Sequence, residues 1–398
     1  MSKIKSVRAH VLGKKEGPAT WASVMVLVKV ETTDGLVGYG EAVPTLRAEP
    51  VLHSIDEIGR VYSGLDPFEI EKNRIEWEKN DFYMHSSFES TSAYSAVDIA
   101  LWDIVGKSLG APVHQLLGGV YREKVPVYAN GWYSDCKTPD DFAEKADQTV
   151  KKGYRALKFD PFGDHYDKID RKGVELSSEI VRAVRERVGN GVELMIEHHG
   201  RFNAKSAIMI ADELGQYDPL FMEEPVHPND LMGLRNYRSR TDIRIALGER
   251  IISKEQAMEY LYEGLVDILQ PDICNIGGFT EIKKVAALTE SFGITLAPHN
   301  AFGPVQNAAT IQFDASVPNL EIQESFYDFF PQWKRDLVGN GTPVVDGYYQ
   351  VSKKPGLGID VKDEMIKEYE FKGMEEWNPS EPVWVIRGTW SKAIDQPI

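Results

Sequence analysis

Three glutamates that each end a short apolar segment are the residues of this sequence most suited to chemistry. Glu197, Glu223 and Glu249 end three successive segments of this kind. If the segments are neighbouring parallel strands, the three carboxylates meet at one rim, where their negative charge is costly unless a cation lies among them. An all-oxygen set favours magnesium or manganese over zinc or copper, and leaves about three octahedral positions for substrate and water. The sequence therefore predicts a divalent metal site. A single glutamate would more often pair with a surface lysine.

A histidine follows the first of these glutamates at a distance of two residues. Because side chains alternate along a strand, Glu197 and His199 share a face, whereas His198 points elsewhere. The same alternation places Lys158 and Asp160 on one face. We therefore predict that His199 lies beside the metal and takes part in acid–base chemistry, although an isolated histidine at a strand end is more often structural.

Asp272 and His299 end two further segments that are adjacent along the chain. A carboxylate at this place can bond one imidazole nitrogen and leave the other as a base of raised pKa. The sequence thus predicts an Asp–His dyad. Separate roles for the two residues are the alternative.

Eight short apolar segments, separated by helical patterns of about 12 to 18 residues, would position these side chains. The predicted strands are residues 125–129, 156–160, 193–198, 220–224, 244–249, 268–272, 294–299 and 319–324. Eight strand–helix units predict an α/β protein with a (β/α)8-type TIM barrel, whose functional groups lie at the carboxyl ends of the strands. An open doubly wound sheet is the alternative.

The segments before and after this barrel indicate a second domain. Residues 24–30 and 35–41 have strand character and are joined by a Thr33-Asp34-Gly35 turn, and helical periodicity follows over 51–117. The tail after Pro331 is rich in glycine, proline and aromatic residues and is expected to pack on the first domain. We predict an α+β capping domain over 1–120, a catalytic barrel over 121–330, and a C-terminal segment over 331–398 that completes the cap.

The composition narrows the choice of partners. A formal charge of -16 argues against nucleic acid and anionic membranes, which require local excesses of lysine and arginine. No apolar stretch approaches the roughly 20 residues of a membrane span, and the N-terminus alternates polar and apolar residues, so we expect a cytoplasmic protein. Cys136 and Cys274 are the only cysteines and suggest neither a disulfide framework nor a zinc site. A small anionic substrate is compatible with this charge if a bound metal and a few basic residues supply positive potential.

The strand ends resemble those of the mandelate-racemase branch of the enolase superfamily over nearly the whole chain. The resemblance includes the three carboxylates, the aspartate of the sixth strand followed by Ile276-Gly277-Gly278, and the histidine of the seventh. Within that branch the sequence is most similar to archaeal dehydratases of gluconate and galactonate. This second resemblance depends on residues 19–23, 157–163, 197–202 and 381–385.

The resemblance implies a role for each site residue. Glu197, Glu223 and Glu249 would bind Mg2+ (or Mn2+), and Asp272 with His299 would form the dyad. Lys158 would contact the substrate carboxylate, and His199 would act as the acid for the leaving hydroxyl. Glu324 would contact the enolate, and Trp21 would lie in a cap loop over the substrate. It also implies a homo-oligomer and, for the reaction, a place in an Entner-Doudoroff-type sugar pathway.

Two departures from the family pattern bear on the reaction. Asp160 stands where many relatives have a second lysine, so a two-base racemase is not expected. Glu197 replaces the more frequent aspartate. The resemblance implies dehydration of an aldonic acid, D-gluconate first and D-galactonate next, by removal of the C2 proton and loss of the C3 hydroxyl. Glu324 would donate to the enolate only with a raised pKa. Xylonate or arabinonate dehydration, an epimerase and a cycloisomerase stay as alternatives, as does a binding protein that has lost the chemistry.

Overall fold

The computed structural model of the chain describes residues 2–13, 24–43, 48–79, 87–339 and 341–371. Three strands come first: β1 (Ile4–Gly13), β2 (Val24–Thr32) and β3 (Val37–Ala42). Four helices follow: α1 (Ala48–Tyr62), α2 (Ile70–Glu78), α3 (Phe88–Leu109) and α4 (Val113–Leu116). These seven elements are called the cap below.

The cap is an antiparallel sheet, in the order β1-β2-β3, with helices packed against it. The predicted hairpin is confirmed: Thr32 Oγ1 accepts the Leu36 backbone N–H at 3.0 Å, and Gly35 has a positive φ of 89°. Helix α3 lies so close to β3 that a Cβ on Gly40 would stand 1.8 Å from the carbonyl oxygen of Ala96. Glycine at this position therefore lets the longest helix of the cap sit directly on the sheet.

The barrel follows as alternating strands and helices. Its elements are β4 (Lys124–Ala129), α5 (Pro139–Lys151), β5 (Ala156–Phe159), α6 (Arg171–Val188), β6 (Glu193–Glu197), α7 (Ala204–Leu214), β7 (Phe221–Glu223), α8 (Leu231–Arg238), β8 (Ile245–Leu247), α9 (Lys254–Tyr262), β9 (Ile268–Leu269), α10 (Gly278–Ser291), β10 (Thr295–Leu296), α11 (Pro304–Asp314) and β11 (Gln323–Ser325). The tail adds α12 (Gln332–Asp336), β12 (Tyr348–Gln350) and α13 (Asp363–Glu368).

The barrel strands are parallel and consecutive, from β4 to β10, with β11 paired to β4. The ring is completed where Leu296 forms a parallel bridge with Leu320. The predicted closed barrel is thus confirmed and the open sheet is wrong. One inward-facing apolar residue from most strands fills the interior: Tyr128, Ala156, Met195, Phe221, Ala246, Ile268 and Ala297. This packed centre leaves the carboxyl ends of the strands as the open mouth.

The described part of the tail contacts both units. Strand β12 pairs antiparallel with β4, whereas the Leu357 backbone N–H donates to Asp103 Oδ1 of the cap at 2.9 Å, and Phe371 N–H donates to the Val11 carbonyl at 2.8 Å. The domain limits at 120 and 330 stay predictions. Over the described ranges, no helix has the length and apolar character of a membrane span.

Candidate active site

The three predicted ligand carboxylates lie together at the mouth of the barrel. Glu197 and Glu223 are the last residues of β6 and β7, and Glu249 follows β8 by two positions. One oxygen from each lies within 4.8 Å of the others. Glu197 and Glu223 are 1% and 0% exposed. We call these three residues the glutamate rim.

Lys158, on β5, supplies positive charge to this rim. Its Nζ lies 3.1 Å from Glu197 Oε2, 2.6 Å from Glu223 Oε2 and 2.8 Å from Glu324 Oε1. Burial raises the pKa of Glu223 well above its usual range, and the nearby Glu197 adds to this rise. Burial would lower the pKa of Lys158, but the charges of Glu223 and Glu324 outweigh it and raise that pKa.

The donor set fits a hard divalent cation. All ligand atoms are carboxylate oxygens, and Glu223 Oε1 is buried without a hydrogen-bond partner. A buried carboxylate oxygen left in this state is costly unless it binds something. Magnesium and manganese prefer oxygen ligands of this kind.

Asp272 and His299 form a close pair beside the rim. His299 Nδ1 lies 2.6 Å from Asp272 Oδ2, and its Nε2 lies 3.4 Å from Glu249 Oε2. Asp272 Oδ1 also accepts the Cys274 backbone N–H at 2.7 Å. Burial would lower the pKa of His299, but Glu249, Glu324 and Asp272 outweigh it and raise the pKa to about 9. The carboxylate therefore holds Nδ1 and turns Nε2 toward the mouth.

A second Asp–His pair lies on the other side of the glutamate rim. His199 Nδ1 is 2.8 Å from Asp160 Oδ2, and the His199 backbone N–H donates to Glu197 Oε1 at 2.6 Å. Arg201 NH2 bonds Asp160 Oδ1 at 2.5 Å. This pairing was not predicted from the sequence, where Asp160 was placed on one face with Lys158 and interpreted as a replacement for a second lysine. The same adjacency of strand ends that indicated Asp272 with His299 would have found it.

Glu324, on β11, lies among hydrogen-bond donors and beside the charge of Lys158. Its Oε1 accepts the Asn130 side-chain amide at 2.8 Å, and its Oε2 accepts the Asn300 backbone N–H at 2.9 Å. Burial would raise the pKa of Glu324, but Lys158 and His299 outweigh it and lower the pKa to about 2. The raised pKa that donation to an enolate would require is therefore not found for Glu324, because the donors around it stabilise its ionised form.

Two further residues of the site were not predicted. Arg250 Nε donates to both oxygens of Glu224 at 2.9 Å, and its NH2 donates to the His199 carbonyl at 3.1 Å. The same guanidinium lies 3.2 Å from Glu249 Oε1. An arginine directly after a predicted ligand was a usable signal. Trp21, predicted in a cap loop, lies outside the described residues.

Comparison with known families matches both parts of the chain. Residues 141–365 match the enolase C-terminal domain-like family, and residues 18–118 match the N-terminal domain of the mandelate racemase / muconate lactonizing enzyme family. Among solved structures, a member of the enolase superfamily from Salmonella Typhimurium has a TM-score of 0.86 at 27% identity and covers 92% of this chain and 98% of its own. A mandelate racemase/muconate lactonizing enzyme from Jannaschia sp. CCS1 has a TM-score of 0.86 at 31% identity, with coverage of 93% and 98%.

Relatives with stated activities are more similar in sequence. A D-gluconate dehydratase of Thermoproteus tenax is 50% identical over 390 residues, which are 98% of this chain and 78% of that protein. A D-gluconate/D-galactonate dehydratase of Picrophilus torridus is 46% identical over 391 residues, 98% of this chain and 100% of that protein. The chain therefore belongs to the enolase superfamily, in its mandelate racemase / muconate lactonizing branch.

Proposed function

We propose that this enzyme is a magnesium-dependent aldonate dehydratase that converts D-gluconate, and secondarily D-galactonate, into a 2-keto-3-deoxy acid. The observation that carries the proposal is the pair of Asp–His dyads that flank the glutamate rim, at 2.6 Å for Asp272 with His299 and 2.8 Å for Asp160 with His199. Dehydration requires a base at one carbon and an acid at the next, and these dyads provide one each. The dehydratase names of the two similar archaeal proteins support the same reaction.

The glutamate rim would hold the cation. Glu197, Glu223 and Glu249 offer only oxygen ligands, which suits Mg2+ and also Mn2+. When bound there, the cation supplies positive charge that stabilises the enolate formed from the substrate carboxylate. Lys158, 3.1 Å from Glu197 and 2.6 Å from Glu223, adds a second positive charge on that side.

His299 is the proposed base. Its Nε2 takes the C2 proton, and the electron pair of the broken C–H bond passes into the enolate. Asp272, bonded to Nδ1, fixes the tautomer and stabilises the imidazolium that forms. Glu324 is an ionised acceptor held by Asn130 and Asn300, so it would receive a hydrogen bond from substrate rather than donate one.

His199 is the proposed acid. Its Nδ1 is bonded to Asp160, whose charge stabilises the imidazolium form, so Nε2 would give its proton to the C3 hydroxyl as the C–O bond breaks. The enolate electrons form the C2–C3 double bond, water leaves, and the resulting enol tautomerises to the keto acid. Each of the two proton transfers contributes about 10² to 10⁴ in rate.

A C2 epimerase on the same scaffold would require a second base on the opposite face of the substrate. The side chain at the family's second-lysine position is Asp160, which is bonded to both His199 and Arg201. A carboxylate engaged in this way supports a positioning role rather than proton abstraction.

The test is a keto-acid assay of the purified protein on gluconate, galactonate, xylonate and arabinonate, with magnesium and with excess EDTA. We expect product from gluconate and galactonate that requires magnesium and is lost in His299→Asn and in His199→Asn. The exposed residue His53 provides a matched control, since His53→Asn lies on α1 and should keep full activity. The absence of keto acid from every aldonate would contradict the proposal. Activity on gluconate would support a role for the enzyme in an Entner-Doudoroff-type sugar pathway.

A further inference from the structure

A buried glutamine that takes no part in the proposed reaction hydrogen-bonds the carboxylate of the Asp272–His299 dyad. Gln306 lies on α11, is 0% exposed, and its Nε2 donates to both oxygens of Asp272 at 2.9 Å. Because a single amide donor spans both oxygens, it fixes the carboxylate plane as well as its distance. The direction of the oxygen that bonds His299 Nδ1 is thereby set.

Gln306 is itself held by a glutamate of the cap. Glu41 Oε2, on β3, accepts the Gln306 backbone N–H at 2.9 Å, and the two residues are 265 positions apart. Glu41 is 0% exposed, and its Oε1 has no hydrogen-bond partner. A Cβ on Gly303 would stand 2.3 Å from that oxygen, so glycine is needed at the start of α11 for the carboxylate to approach. A carboxylate at this helix N-terminus satisfies a free N–H group and is favoured by the helix dipole.

The backbone between the dyad and Gln306 is fixed by the same cluster. Phe302 N–H donates to Gln306 Oε1 at 2.8 Å, and the Phe302 carbonyl accepts Lys334 Nζ of the tail at 2.7 Å. The Phe302 ring contacts the imidazole of His299 edge to face, with centroids 5.4 Å apart. Cap, barrel and tail thus meet behind one imidazole.

We propose that Gln306 and Glu41 are positioning residues for His299: the glutamine side chain orients the Asp272–His299 pair, and the glutamate of the cap orients the glutamine. The seating of the cap on the barrel is then linked to the direction of the imidazole through a chain of direct hydrogen bonds. The catalytic consequence rests on the proposed function, whereas the orientation of the imidazole does not.

The orientation is tested by NMR of the magnesium-loaded protein labelled with 15N-histidine. A proton shared between His299 Nδ1 and a carboxylate gives a downfield signal, assigned by its loss in His299→Asn. In Gln306→Met, which keeps the side-chain length but lacks the amide, we expect the signal to move upfield or to be lost through exchange with water. An unchanged signal in Gln306→Met would overturn the proposal. Gln306→Leu is a second variant if Gln306→Met does not fold.

The matched control is another buried glutamine of the same helix. Gln312 is 1% exposed and bonds His114 and Ser352, far from the dyad along α11. Gln312→Met removes a similar number of buried hydrogen bonds, yet it should leave the His299 signal in place. An equal shift in Gln312→Met would show that loosening α11 in general, rather than the Gln306 bond, moves the imidazole, and would overturn the proposal.

The role of Glu41, at the cap end of this series of hydrogen bonds, is tested in the same way with Glu41→Leu. Asp103 is the control in the cap, because it is also buried and also accepts a backbone N–H across the cap boundary, from Leu357. We expect Glu41→Leu to shift the signal and Asp103→Leu to leave it unchanged, and Glu41→Gln to give a smaller shift in the same direction. A signal unaffected by both Glu41 variants would overturn the role of Glu41.

Activity provides a separate measurement. Misdirection of a reacting group by about 1 Å costs about 10²-fold, so Gln306→Met should lower kcat by about 10- to 100-fold with little change in KM. Gln312→Met should keep the wild-type kcat. If the wild-type protein makes no keto acid, the proposed function fails, and the NMR comparison still decides the positioning role by itself.

Discussion

Asp160→Asn removes the charge that holds His199 while it preserves the size of the side chain. The bond to be weakened joins Asp160 Oδ2 and His199 Nδ1 at 2.8 Å, at a site where Asp160 is only 7% exposed. Hydrogen bonds to charged groups contribute about 1.5 to 3 kcal/mol, and asparagine cannot stabilise the imidazolium in the same way. At about 1.4 kcal/mol for each factor of ten, kcat for aldonate dehydration should fall by about 10- to 150-fold.

The same substitution also affects stability. Arg201 is 3% exposed and would lose the charge that it pairs with at 2.5 Å. Removal of one partner from a buried ion pair costs about 3 kcal/mol or more, so the melting temperature of Asp160→Asn should fall as well. Kinetics must therefore be measured below the unfolding range, with the folded fraction checked by circular dichroism.

The assay is keto-acid formation from saturating gluconate with magnesium, for Asp160→Asn, His199→Asn and the double variant. Asp167→Asn is the matched control: it changes an exposed aspartate of the same loop, at a positive φ of 60° that asparagine tolerates. If Asp160 acts through His199, its loss should cost little once His199 is gone. Retention of kcat within about twofold in Asp160→Asn, or full multiplication of the two effects in the double variant, would show that Asp160 does not act through His199.

Three further outcomes follow from the site and the cap boundary. Asp272→Asn should lower kcat by about 10⁴-fold, because an amide facing Nδ1 favours the wrong tautomer of His299; a loss below tenfold in kcat assays would contradict this. Magnesium at about 100 times its dissociation constant should stabilise the wild-type protein by about 2.7 kcal/mol in thermal melts, and Glu249→Gln by clearly less; equal shifts would exclude Glu249 as a ligand. Burial would raise the pKa of Glu281, but Lys284, Arg74 and Lys254 outweigh it and lower that pKa, so its stabilisation is present at neutral pH and lost as pH falls through the folded pKa. Glu281→Gln should therefore cost about 2 kcal/mol near neutral pH and progressively less as the pH falls through the lowered pKa of Glu281, and a pH-independent difference in melting temperature would exclude this role of the ion pairs.

Residue periodicity predicts the position of the glutamate rim, because the placement of each glutamate at the end of an apolar strand can be read from its own stretch of sequence. Glu197, Glu223 and Glu249 follow apolar strands, and parallel strands in a closed barrel bring such ends to one mouth. The Asp272–His299 pair follows from the same rule applied to two later strands. The barrel and the cap hairpin were predictable for this reason.

The charge state of Glu324 and the hydrogen bonds behind Asp272 were not predictable from periodicity, because they depend on residues far away along the chain. The ionised state of Glu324 depends on Asn130, 194 positions earlier, and on Lys158. Asp272 is hydrogen-bonded by Gln306, and Gln306 in turn is hydrogen-bonded to Glu41, which lies 265 positions before Gln306. No local pattern relates such residues, so only the folded chain brings them together.

We propose that the enzyme removes water from an aldonate. The most direct test is NMR of D-gluconate incubated with the wild-type protein and magnesium in D2O. We expect a 2-keto-3-deoxy acid that carries one solvent deuterium at C3, formed at a rate that falls to background in His299→Asn. Inversion at C2 with the C3 hydroxyl retained would exclude dehydration as the reaction and indicate an epimerase.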